Sequence, residues 1–207
     1  GIDPDKISEN VSSKSKAIIP MDYGGISCKI MDIQEQAKDN NLILIEDAAE
    51  SLGSSINNKK LGGISDSTIF SFCGNKVLTT GEGGAVVTNS KEVYEKIKLI
   101  RSHGRIDTKD YFSNPSESSY VGLGYNWRMS SITATLGISQ LQKLDKIIRM
   151  RKENAKYLID NLQKIPEISV PLPPKDHEHI YQMFTIRLPN QEIRDNLHSH
   201  LTKKQIF

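Results

Sequence analysis

Hydrophobic spacing changes several times along the chain. Leu42-Ile43-Leu44-Ile45 is a continuous apolar run that ends in the acids of Glu46-Asp47-Ala48-Ala49-Glu50. A fully buried parallel strand reads this way, with carboxylates at its carboxyl end. Helical spacing over 31–39 precedes it, and an apolar stretch from Ala17 to Met21 comes before that. Strand, helix, strand in this order predicts a parallel unit with a right-handed crossover. Two further strands are predicted at 68–72 and 84–88, on either side of a glycine-bearing loop, and Asn57-Asn58-Lys59-Lys60 predicts a turn between two short strands. Helices are predicted at 4–13, with Asp3 capping ahead of Pro4, and at 90–102, with Gly104 as its stop. From Ser130 onward Ile132, Leu136, Leu141, Leu144, Ile148, Leu158 and Leu162 recur at helical intervals, as two helices or one bent one. The stretch 106–120 lacks periodicity and reads as a loop. Pro171-Leu172-Pro173-Pro174 is a rigid connector; beyond it Tyr181 to Leu188 reads as a strand opening a second domain, and 191–203 as a helix.

Composition narrows the function classes. With 27 basic against 25 acidic residues the net charge is +2, and the cations are spread through helical stretches, so nothing favours nucleic acid. Cys28 and Cys73 are too few and too far apart for a disulfide framework. No apolar run approaches the roughly 20 residues of a membrane span, and the N-terminus is polar; a cytoplasmic setting is expected. His177 and His179, beside Asp176 and Glu178, have a tempting spacing but lack the further ligands a metal needs, so no metal is expected.

The candidate chemistry centres on Lys76. Phe70-Ser71-Phe72-Cys73-Gly74-Asn75-Lys76 runs from an apolar strand into a loop, and Thr79-Thr80-Gly81-Glu82-Gly83-Gly84 turns the chain into the next strand, Ala85-Val86-Val87-Thr88. A lysine held in such a loop, partly dry and near positive charge, has a lowered pKa and can act as a nucleophilic amine. Taken alone, Lys76 reads more readily as one more solvated lysine. Asp47 alters the balance, because ligands of open α/β sheets bind beyond the carboxyl ends of the strands. An amine for an aldehyde and a carboxylate for a protonated ring nitrogen are the two groups that pyridoxal phosphate (PLP) requires. On its own, Asp47 could be an ordinary capping acid. Two nucleotide-site readings fail. Asn75 precedes and Val77 follows the lysine, unlike a P-loop, and no Gly-x-Gly-x-x-Gly joins a strand to a helix.

Ile45-Glu46-Asp47-Ala48-Ala49-Glu50-Ser51, together with the segment from Phe70 to Gly84, resembles the DegT/DnrJ/StrS-type sugar aminotransferases. Gly122-Leu123-Gly124-Tyr125-Asn126-Trp127-Arg128-Met129 looks like the Gly-Tyr-Asn-x-Arg segment of that family, and Ser15 to Pro20 and Arg101-Ser102-His103-Gly104 fit in order. Several separated motifs in register span nearly the whole chain and are far more specific than any one of them. The resemblance implies a type I PLP-dependent aminotransferase fold, α/β in class. Residues 1–129 would be part of a three-layer α/β/α large domain, 130–170 a long helical connector, and 171–207 the start of a smaller α+β domain.

Residue by residue, the family pattern implies that Lys76 carries the cofactor and moves the proton between substrate and cofactor. It further implies that Asp47 pairs with the pyridinium nitrogen, that Glu50 lies beside the ring and its 3-hydroxyl, that Ser71 holds a phosphate oxygen, and that Asn126 reaches the phosphate of a neighbouring subunit across a homodimer interface. From the residues alone, Ser71 could simply cap a backbone group and Asn126 could be a turn residue. The implied reaction moves an amino group from an amino acid, glutamate by expectation, to a nucleotide-linked keto-sugar in two half-reactions at one site. The wording of the lysine loop is closest to the perosamine-synthase branch, which aminates carbon 4 of a GDP-linked 4-keto-6-deoxy sugar. Three rivals stand beside this. A sugar dehydratase of the same fold carries histidine at the lysine position, which counts against it. A truncated or regulatory member would share the motifs without turnover. An unrelated α/β domain would share them only locally. Members of the family are longer, and their earlier part supplies another phosphate turn and a stacking aromatic. The chain therefore reads as a fragment, expected to bind PLP weakly or not at all by itself. Trp127 stands where a smaller or tyrosyl residue is usual.

Overall fold

A computed structural model describes residues 1–106 and 119–206. After a 3-10 turn at Pro4–Lys6, capped by Asp3 Oδ1, the helix predicted over 4–13 is a single turn, α1 (Ile7–Asn10). Next come β1 (Ala17–Ile18), α2 (Ile30–Asp39), β2 (Ile43–Asp47), β3 (Ser55–Ile56), β4 (Lys59–Lys60), β5 (Ser67–Ser71) and β6 (Gly84–Val87). The principal sheet has the order β1-β2-β5-β6; β1 and β5 both run parallel to β2, and β6 is antiparallel to β5.

The predicted parallel unit is present because α2 has an apolar face to bury. Ile30 and Ile33 are fully enclosed, with Ala37 beside them, against Leu44 of β2 and Phe70 of β5. Strand periodicity then decides which residues the helix covers. Leu44, Glu46, Thr68 and Phe70 face α2, whereas Ile43, Ile69 and Val86 stay exposed on the other face. The run 42–45 is thus covered on one face and not on both. A continuous apolar run announces burial on both faces but does not contain the second layer that provides it.

A second, antiparallel sheet has the order β4-β3-β9, with β9 at His177–Glu178. Asn57 and Asn58, at φ 50° and 61°, make the tight turn between β3 and β4, as the sequence predicts; asparagine tolerates the left-handed region such a turn needs. Beyond β9 the predicted strand 181–188 does not form. Tyr181 has φ 52°, and the amides of Ile180 and Met183 donate to the carbonyls of Gly25 and Gly24 at 2.8 and 3.0 Å. Hydrogen bonds that would have built a ladder are spent on that turn, leaving only an isolated bridge between Ser169 and Arg187.

The remaining helices follow the sequence closely. α3 (Lys91–Ile100) starts at Ser90, whose Oγ accepts from Val93 N, and α6 (Gln191–Lys203) starts at Asn190, whose Oδ1 accepts from Ile193 N. The long helical stretch resolves into two, α4 (Ser131–Leu141) and α5 (Leu144–Leu162), parted at Gln142–Lys143. A short pair, β7 (Arg105–Ile106) and β8 (Ser119–Tyr120), brackets residues 107–118, so most of the loop expected at 106–120 lies outside the described residues. A small second core of Val77, Ile148 and Ile180 ties the lysine loop to α5 and to the stretch after β9.

Candidate active site

The site forms where β2 and β5 end. Asp47 is the last residue of β2 and Ser71 the last of β5, in strands whose register pairs Asp47 with Ile69. Both project on the face opposite α2, at the carboxyl end of parallel strands where ligands of such sheets bind. Asp47 is fixed by its main chain. Its N–H donates to Pro20 O and its carbonyl accepts from Asp22 N, both at 2.9 Å. Its Oδ1 accepts from Ala49 N at 3.1 Å, which leaves carboxylate capacity for a further partner.

Lys76 and Glu50 meet. Lys76 Nζ lies 3.5 Å from Glu50 Oε1, with only 14% and 15% of the two side chains exposed. A pair this shielded is screened far less by salt than a surface pair. The other oxygen of Glu50 accepts from Gly24 N at 2.7 Å, in a turn where Gly24 takes φ 73°. The lysine loop is closed by main-chain bonds: Lys76 N to Cys73 O at 3.1 Å, Thr80 N to Phe72 O at 2.9 Å and Phe72 N to Gly83 O at 2.8 Å.

Two of the expected site residues hold less. Ser71 Oγ accepts from Cys73 N at 3.3 Å, which is the capping role open to any serine here, while its hydroxyl proton keeps a donor available. Asn126 is exposed and bridges Ser102 through its main chain, and its sequence neighbours Tyr125 and Trp127 stack on each other with ring centroids 4.3 Å apart.

Two features escaped the sequence. Gln182 spans the lysine loop, its Oε1 accepting from Val77 N at 3.0 Å and its Nε2 donating to Asn75 O at 2.8 Å. Behind Asp47, on the α2 face, Asp22 and Glu46 are completely buried within hydrogen-bonding reach of each other. Asp22 Oδ1 accepts from Cys28 N at 2.8 Å, and Glu46 Oε2 accepts from Thr68 Oγ1 at 2.7 Å and Ser65 Oγ at 3.3 Å. The remaining oxygens, Asp22 Oδ2 and Glu46 Oε1, have no donor. Burial, with the neighbouring Glu46 charge adding to it, raises the Asp22 carboxyl to about 7; one proton between the acids gives both orphan oxygens a partner. Burial and the same acids push the Cys28 thiol well above its ordinary range, so it is an inert small residue. Glu46 and Asp47 being neighbours, strand alternation was the one signal that could have separated a buried acid from an open one.

The sequence profile of the DegT/DnrJ/EryC1/StrS aminotransferase family matches residues 1–207. The chain belongs to this family. Within the DegT/DnrJ/EryC1/StrS family it is 36% identical over 200 residues to the GDP-perosamine synthase of Escherichia coli O157:H7, covering 97% of this chain and 52% of that protein. Its fold matches PseC of Helicobacter pylori, an aminotransferase of pseudaminic acid biosynthesis, with a TM-score of 0.90, 32% identity, and 98% of this chain against 54% of that one. An Escherichia coli GDP-4-keto-6-deoxy-D-mannose-3-dehydratase, solved with bound hydrated PLP, matches with a TM-score of 0.85 at 28% identity, covering 98% and 55%. The chain thus spans about half the length of these relatives, and the fold they share serves both amination and dehydration.

Proposed function

We propose that the protein carrying this chain is a PLP-dependent aminotransferase that moves an amino group from an amino acid, glutamate by preference, to a nucleotide-linked keto-sugar. The observation that carries the reading is the shielded Lys76–Glu50 pair at the carboxyl end of β2 and β5. The donor set fits the cofactor: an amine, an open carboxylate on Asp47 and a hydroxyl donor on Ser71 belong to one end of one sheet. When bound, PLP supplies an electron sink for the substrate carbanion.

In this reading the side chains do the rest. Lys76 would hold the cofactor by its amine and, when that amine is free, would accept and return the substrate proton at Nζ. Glu50 orients that amine. Asp47 keeps the ring nitrogen protonated by presenting a carboxylate to it. Ser71 donates to a phosphate oxygen, and Asn126 extends to the site of a second copy, so that a homodimer completes two sites. Residues 1–129 serve as part of the cofactor-binding domain, 130–170 as its helical connector and 171–207 as the start of the small domain. The E. coli GDP-perosamine synthase supports a GDP-linked sugar, which the resemblance to the perosamine-synthase branch narrows to a 4-keto-6-deoxy acceptor. Lys76 argues against dehydration, which in this fold uses histidine there. The proposed setting is cytoplasmic; among the described residues no helix is long and apolar enough to cross a membrane.

Borohydride reduction in the presence of PLP, followed by peptide mass spectrometry of the protein, is expected to place the reduced adduct on Lys76. The Lys76→Arg variant should lose the adduct and all transfer from glutamate to the keto-sugar. Normal turnover by that variant would defeat the reading.

A further inference from the structure

Gln182 lies in the stretch after β9 and is only 9% exposed. Both ends of its amide are engaged, by Val77 N at 3.0 Å and Asn75 O at 2.8 Å. Those groups belong to the residues immediately before and after Lys76, so one primary amide fixes the main chain on both sides of the lysine. Gln182 is itself held. Arg151 Nη1 of α5 donates to the carbonyls of Tyr181 and Gln182 at 3.1 and 3.2 Å. Ile180 N and Met183 N bond the carbonyls of Gly25 and Gly24. Gly24 N in turn holds Glu50, whose second oxygen faces Lys76. The approach is close: a Cβ on Gly25 would lie 2.6 Å from Gln182 N. A single segment therefore grips the lysine through its main chain and the carboxylate partner through the Gly24 turn.

We propose that Gln182 is a positioning residue for Lys76, and that residues 180–183 set the spacing between the amine and Glu50. This rests on the reading of Lys76 as the reactive amine. Gln182 touches no reacting atom; it acts by holding the peptides from which Lys76 extends, and a misplaced amine reacts poorly even when the chemistry is intact.

Two variants of the full chain test this. Gln182→Glu keeps an acceptor for Val77 N and loses the donor to Asn75 O; Gln182→Met has similar length and keeps neither. Amide hydrogen exchange at Val77 should stay slow in the glutamate variant and quicken about tenfold in the methionine variant, the size of one lost hydrogen bond. The time profile of Lys76 acylation by a small anhydride, followed by mass spectrometry, should converge in both variants on that of Lys156, whose side chain is 79% exposed against 14% for Lys76. Unchanged Val77 exchange in a folded methionine variant overturns the proposal, as does a lowered melting temperature with the Lys76 profile unmoved. If the methionine variant does not fold, the glutamate variant decides: a protected Val77 with a shifted Lys76 profile supports the proposal, and a wild-type Lys76 profile refutes it. Failure of borohydride to trap PLP on Lys76 in the complete wild-type protein that carries this chain would sink the functional reading and leave the exchange result standing.

Discussion

Replacing Asp22 by asparagine should make the protein more stable at alkaline pH. The geometry assigns each amide atom a place. Asn Oδ1 would keep the bond from Cys28 N, and Nδ2, in the place of the orphan Oδ2, would bring a donor next to Glu46, whose Oε1 lacks one. In the wild type that donor is a proton. The Asp22 carboxyl is raised from 3.8 to about 7 in the folded state, so the folded protein binds the extra proton. Stability from it is full below the unfolded value of 3.8 and is lost as pH rises through about 7. A shift of about three units at ~1.4 kcal/mol each is worth about 4 kcal/mol in all. Asparagine cannot ionise and keeps its bond at any pH.

The charged and polar groups around the pair are Cys28, Ser65, Thr68 and, on the opposite face, Asp47. Among the described residues no lysine, arginine or histidine pairs with either acid. Urea unfolding of wild type and Asp22→Asn between about pH 4 and about pH 8 measures the effect as a difference, in which titrating groups that do not interact with Asp22 cancel. The variant should gain on the wild type as pH rises to about 7 and then hold level. A difference independent of pH, or a variant less stable than wild type at about pH 8, would refute the shared proton.

Two predictions accompany the tests on Lys76 and Gln182. Gly25→Ala should cost about 3 kcal/mol in urea unfolding, since alanine would be strained at φ +105° and its Cβ would press on Gln182 N at 2.6 Å and Ile180 Cγ1 at 2.9 Å. His179 is lowered from 6.5 to about 4 by burial, so it folds neutral, and its Nδ1 accepts from Tyr181 N at 2.9 Å. Its contribution is present above 6.5 and is lost as pH falls toward about 4, and His179→Asn, with an oxygen at the acceptor position, should flatten that acid limb in the same assay.

Much of the framework was legible locally. Period and punctuation placed α2, β2, β5 and α6 to within a residue or two, because each carries its own cap, turn or alternating face. Lys76 and Asp47 stood out as a lysine in a glycine loop and acids ending an apolar run; the resemblance put Glu50 beside the cofactor ring, and its contact with Lys76 was not foreseen. What failed to show depends on contacts distant in sequence. Tyr181 to Leu188 alternates like a strand, yet the amide of Met183, like that of Ile180 just before the segment, bonds the Gly24–Gly25 turn, and nothing within that segment names the turn. Gln182 acts on residues more than 100 positions earlier, and an interior glutamine has no local signature. Ser71 and Asn126 remain where their residue types alone left them, one capping an amide and the other exposed.

The back-to-back placement of Glu46 and Asp47 makes the phase of β2 unforgiving. Sliding that strand by a single position would send Asp47 into the dry niche lined by Thr68 and turn Glu46 outward, and every apolar residue on the strand would change sides with them. A one-residue insertion between Asn41 and Ile43 would thus disable the binding end and the hydrophobic interior together, whereas the same insertion in the exposed Asn57–Asn58 turn would leave both in place.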